Sequence, residues 1–228
     1  MTKKLRRRQL GQSMVEFNLA LPFLVPVILV SVMLLIQWGL IYRTQVTLNA
    51  AAIKAVRQGT LHHGSVNEMN NGLAHGMSPL FARGTDLSDS ISAVLQARAA
   101  VALQGRIKVL NPDKAVFDRF KKRIRHDGRD LWEIPNNNLM YRDPNLLSID
   151  KNRTLNIQDA NLLQIEVDWC EPLIVPVANR VMEGILTSLW YRPSAAQLRC
   201  NALGTVGGNP YIAIKAQALM RMQTPFRM

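Results

Sequence analysis

The sequence predicts an α+β fold: a long N-terminal transmembrane helix followed by an exported α+β head with a small antiparallel sheet. Three observations predict it. No Asp, Glu, Lys or Arg occurs from Phe17 to Tyr42. Residues 162–169, LLQIEVDW, alternate apolar and polar side chains, the signature of a half-buried strand. Several stretches between and after these carry apolar residues at helical spacing behind capping residues. A chain of 228 residues holds one ordinary domain plus an appendage, and no internal repeat is visible.

The uncharged run is about 26 residues, roughly 39 Å as a helix, against a hydrocarbon layer of approximately 30 Å. Lys3, Lys4, Arg6, Arg7 and Arg8 precede it, with no acid before Glu16. This asymmetry predicts a cytoplasmic N-terminus and an exported remainder. Two alternatives are a cleaved signal peptide and a twin-arginine export signal at Arg7-Arg8. Against the first, the apolar stretch is about twice the usual length, and the nearest small-residue site is Ala50 to Ala52. Much of the net charge of +12 sits in that leader and in Lys121, Lys122, Arg123 and Arg125. The rest is near balance, which argues against a globally basic nucleic-acid binder.

Residues 43–58, RTQVTLNAAAIKAVRQ, carry no Gly or Pro and extend the helix outward until Gly59. The predicted division is a leader at 1–11, the membrane helix and its extension at 12–58, a loop rich in Gly, Asn, Ser and His at 59–84, and the head at 85–228. Thr85-Asp86 caps a helix over 87–104 with Ile91, Val94, Leu95, Val101 and Ala102 as its apolar stripe. A short strand follows at 107–110. Asn111-Pro112-Asp113, read as cap, Pro and acid, opens a second helix whose inner face is Val116, Phe117, Phe120 and Ile124, and whose outer face is basic. Residues 127–158 read as irregular. Pro176 opens an amphipathic helix to about 190, faced by Val177, Val181, Ile185 and Leu189 and assigned to core packing rather than to a second membrane contact, because Arg180 and Glu183 interrupt it. Gly204 to Gly208 leads into a turn, and 211–222 forms a final strand that pairs with 162–169.

Little in the head suggests catalysis. His62, His63 and His75 fall in the polar loop without a fourth metal ligand, and no Ser/His/Asp set or phosphate-binding glycine loop stands out. No metal or cofactor is expected. Cys170 and Cys200 are predicted to bridge in an exported domain, the alternative being two separate thiols. The basic stretch 121–129 reads as a solvated helix face. Its alternative, binding lipid headgroups or DNA, lacks interleaved aromatics.

Glu16 is the unusual residue. A carboxylate stranded in a bilayer costs about 2.5–3.5 kcal/mol on insertion scales. Cleavage of the Gly11–Gln12 bond would place a new α-ammonium one helical turn away, on the same face. Between chains, the same pairing would set axial register as helices bundle. Gly11 followed by QSMVE resembles the processing site of type IV prepilins. The longer string, from Gly11 through EFNLALP to YRTQVTLNAAAIKAVRQG, is similar to the TadE-like pseudopilin family of tight-adherence (Flp) pilus systems.

The resemblance spans residues 7–60. It implies a pilin-like head, cleavage by a prepilin peptidase after Gly11, Gln12 as first mature residue, and Glu16 as the assembly glutamate. Implied partners are that peptidase, the inner-membrane pilus assembly platform and other pilins or pseudopilins. The implied location is the inner membrane, single-pass, with the head in the periplasm or carried into an extracellular pilus. Two departures matter. Phe17 follows Glu16 where major Flp pilins have Tyr, and the bulky head implies a minor subunit. An N-terminal Gln can also cyclise and delete the ammonium. Pro22 and Pro26 each remove a helix hydrogen bond, marking either a tolerated kink or a segment that bends as the subunit leaves the bilayer. Gln37 and Asn18 read as mild helix–helix contacts. Competing functions are a signal-anchored ligand-binding or enzymatic domain and a DNA-binding or adhesive pilus component.

Overall fold

A computed structural model describes residues 12–126, 128–151, 153–186 and 192–228, without the side chains of Gln12, Ser13, His126 and Arg129. Helix α1 (Gln12–Leu61) has 50 residues and is about 75 Å long. It runs through Gly59, the expected stop. Gln37, Thr44, Leu48, Ala51, Ala52, Ala55 and Val56 are buried at helical spacing, so its second half is a core element of the head. The turn after α1 passes through Gly64 at φ +79°, where an added Cβ would lie 2.2 Å from the Phe226 ring. There the C-terminal segment grips the helix end. The backbone N–H groups of Gln223 and Thr224 donate to the Thr60 carbonyl, and that of Arg227 donates to the His63 carbonyl.

The loop expected at 59–84 is mostly helical. α2 (Val66–Met77) is followed by a 3-10 turn, Ser78–Leu80. Met69, Leu73 and Met77, four residues apart, face the core, and His75 lies on this helix. α3 (Leu87–Gln104) has Asp86 at its N-cap, as expected, but buries Ala93, Ala97, Ala100 and Val101. Ile91 and Leu95, expected inside, are exposed. Small side chains win the inner face where α3 packs against α2.

β1 (Gly105–Asn111) leads to α4 (Lys114–Phe120). The cap is Asp113, whose Oδ1 accepts from the Val116 N–H at 2.9 Å, rather than Asn111. Asn111 instead donates to the Asp159 and Leu162 carbonyls. Val116, Phe117 and Phe120 are buried as predicted, but the helix stops there. β2 (Lys122–His126) pairs with β3 (Arg129–Ile134), so the basic stretch is a strand and Ile124 is exposed. The region expected to be irregular also holds β4 (Leu147–Asp150), β5 (Arg153–Leu155) and α5 (Ile157–Ala160).

β6 (Leu162–Pro172) is the central strand of the main sheet. α6 (Ala178–Leu186) begins two residues after Pro176, and the expected Leu189 lies outside the described residues. Val177 sits before it at φ +66°. Only Ala178 of this helix is buried, which overturns its assignment to the core. α7 (Ala195–Gly207) occupies the stretch expected to approach a hairpin, and ends on Gly208 at φ +72°. β7 (Tyr211–Arg221) and β8 (Phe226–Arg227) complete the chain.

The main sheet has the antiparallel order β1-β6-β7, and a second has β2-β3-β8. The register sets Ile165 opposite Ala218, Val167 opposite Ala216 and Trp169 opposite Ile214, all facing α1. Glu166 and Asp168 point the other way with Lys215 and Gln217, as strand alternation requires. Cys170, also on that outer face, bridges to Cys200 of α7 with the Cα atoms 5.3 Å apart.

Candidate functional site

The feature with the clearest physical consequence is the N-terminal half of α1. None of residues 14–36 is buried; Phe23 is 78% exposed and Leu35 72%. These 23 residues span roughly 35 Å, and α1 is the single helix among the described residues that is long and apolar enough to cross a membrane. Apolar exposure on that scale is not sustained in water by a monomer.

Gly11 lies outside the described residues. Gln12 is the first described residue of α1, so the backbone sets Glu16 one turn further along the same helical face. Glu16 is exposed. Pro22 and Pro26 are both inside α1 and exposed, and the helix continues through them. Ser31 returns its hydroxyl to the Val27 carbonyl at 2.8 Å.

At residue 37 the helix passes from exposed to gripped. Gln37 is fully buried, and its Oε1 accepts the Val175 N–H at 2.9 Å. It therefore joins helix to head, where the sequence suggested a contact between membrane helices. About two turns on, Arg43 donates to the Leu80 carbonyl at 3.2 Å and Gln45 donates to the Lys215 carbonyl at 2.9 Å. Thr44 is buried, and its hydroxyl donates to Glu171 Oε1 at 2.9 Å while Trp169 Nε1 donates to Oε2 at 3.0 Å. Burial pushes the Glu171 carboxyl above its ordinary range, against the pull of those two donors and of Arg43. A cleft lined by Leu40, Arg43, Thr44, Leu80, Phe81 and Glu171 opens beside this collar.

The collar was legible only in fragments. Positions 163, 165, 167 and 169 carry the core residues of β6, so a Glu at 171 is a charge on the inward parity. Gln37 is a lone amide in a long apolar run. Neither signal names the partner. Chemically, the arrangement is an anchor: one acceptor carboxylate held by two donors. Among the described residues no group of three or more His, Cys, Asp or Glu side chains is placed to hold a metal ion.

The basic residues lie elsewhere. Lys121 pairs with Asp118, and its ammonium sits 5.4 Å from the Trp132 ring centroid. Arg123 pairs with Asp130, while Lys122 and Arg125 are exposed on β2. The β2–β3 pairing supplies an aromatic that the linear sequence placed out of reach. Two of the four cations are neutralised locally, and this surface is not continuous with the collar. In comparisons with known proteins, the chain matches no family model, no curated protein and no solved structure.

Proposed function

We propose that the chain is a minor pseudopilin of the tight-adherence type, held in the inner membrane by α1 and acting in pilus biogenesis or assembly initiation. In this reading a prepilin peptidase hydrolyses the Gly11–Gln12 bond, and the α-ammonium of Gln12 and the Glu16 carboxylate then set the register between neighbouring subunits. The observation that carries it is the division of α1. One unbroken helix is bare and apolar over 14–36 and then becomes the central core element of a small α+β head. A helix so built transfers between bilayer and helical bundle without unfolding the head, because the two halves bury different surfaces. The antiparallel sheet packed on α1 and the exposed Glu16 near the helix start support the same reading.

Intact-mass measurement of the membrane-extracted protein, with and without a prepilin peptidase, is the test. Expected is a product lacking residues 1–11 only when the peptidase is present, and none from a Gly11→Val variant. Glu16→Gln should still be cut but should fail to enter the assembly. A peptidase-positive strain that retains the full-length chain would favour a signal-anchored binding or enzymatic domain and sink this proposal.

A further inference from the structure

We infer that α6 is a second membrane contact: it lies in the lipid interface at the point where α1 leaves the bilayer, with its apolar face toward the acyl chains. This rests on α1 spanning the membrane and extends that reading to the head.

The argument begins with spacing. Val181 and Ile185, four residues apart, share one side of α6, and Ile174 and Val177 lie in the segment that enters it. A surface helix of a soluble domain turns such a side inward. Here it is turned outward: Ile174 is 61% exposed, Val177 44%, Val181 38% and Ile185 59%. Toward the head α6 turns Ala178, which is buried, and Asn179, Met182, Glu183 and Leu186, which are half-buried, while Arg180 is exposed. Arg180 and Glu183, with Asn201, Thr205 and Asn209 of the α7 region, line a cleft between α6 and the rest of the head. An exposed apolar face of this kind is favoured where something apolar covers it.

Position identifies the cover. The segment entering α6 is pinned to α1 by the Val175–Gln37 hydrogen bond, where the uncovered apolar half of α1 ends. Trp38 and Tyr42, one helical turn apart, are 72% and 65% exposed at that level, the placement that aromatic side chains take at a membrane–water boundary. Exposed apolar side chains on α6 are thus continuous with the lipid-facing surface of α1. The charges of α6 are one Arg and one Glu, which cancel, so attachment is by apolar insertion and needs no anionic lipid. Docking here also fixes the tilt of the head, because α1 and α6 then meet the bilayer at two points.

The test uses the full chain in phosphatidylcholine vesicles brominated either near the headgroup end or near the tail end of the acyl chains. A fluorophore is attached at Val181→Cys, Ile185→Cys, Leu24→Cys or Lys54→Cys, the native cysteines being bridged. Labels at 181 and 185 should be quenched, more by the shallow bromines than by the deep ones. Leu24→Cys should show the reverse order and Lys54→Cys no quenching. Quenching at 24 without quenching at 181 and 185 would overturn the inference and leave the span intact. The same would hold if those two labels instead quenched one another as protein density rises, the mark of a second copy on this face. Absence of quenching at 24 would remove the span and this inference together.

Discussion

Glu171 shows how one residue can tie a long, half-bare helix to the sheet that packs on it. Its carboxylate joins α1 through Thr44 and stays within β6 through Trp169, at the cost of partial burial. Because burial raises its pKa in the folded head, the folded state binds this proton more tightly than the unfolded chain does. Its contribution is therefore most favourable at low pH and is lost as pH climbs from the ordinary value of 4.5 through the raised folded value. Glu171→Gln keeps the shape, accepts from Trp169 and can donate to the Thr44 oxygen. The variant should flatten the fall in melting temperature across that pH window, and an unchanged slope would count against burial as the cause. The inward parity of position 171 was readable beforehand, whereas its two donors are separated from each other by 125 positions and come together only in the fold.

Among elements, α1 and α2 approach each other closely enough for their backbones to touch. An added Cβ at Gly76 would lie 2.5 Å from the Cα of Ala51, so the two helices meet with nothing between them. Gly→Ala inside a helix ordinarily stabilises by about 0.5–1 kcal/mol. Here the clash with backbone reverses the sign, and Gly76→Ala should cost about 1–3 kcal/mol as the helices are pushed apart. Chemical denaturation of the variant measures this, and a gain in stability would show that the interface yields freely. The same glycines explain why α2 was unreadable. Gly72, Gly76 and the surrounding Asn and His residues lower intrinsic helix propensity, and the buried Met69, Leu73, Ala74 and Met77 are too sparse to outweigh them. Conversely, β2 was read as helix because Ile124 follows Phe120 at helical spacing. Pairing with β3 outcompeted that pattern.

For the molecule as a whole, the bridge from Cys170 to Cys200 closes 30 positions of chain and ties α7 to the outer face of the main sheet. Limiting the unfolded ensemble in this way is worth about 3–4 kcal/mol on the chain-entropy model. Cys200→Ser should lower head stability by that order in equilibrium denaturation under oxidising conditions, and should make it insensitive to reductant. Equal stability of variant and native chain would show that α7 is held by packing alone. Sequence by itself determined the apolar reach of α1, the helix at 87–104, the pairing of 162–169 with 211–222 and the cysteine pair. Each is written locally, as an uncharged run, a capped periodicity, a strict alternation or an even thiol count. Only the tertiary structure decided where α1 passes from bare to buried, which face of α6 points outward and which donors hold Glu171. Those depend on surfaces contributed by distant segments, and burial is a property of the partner as much as of the residue.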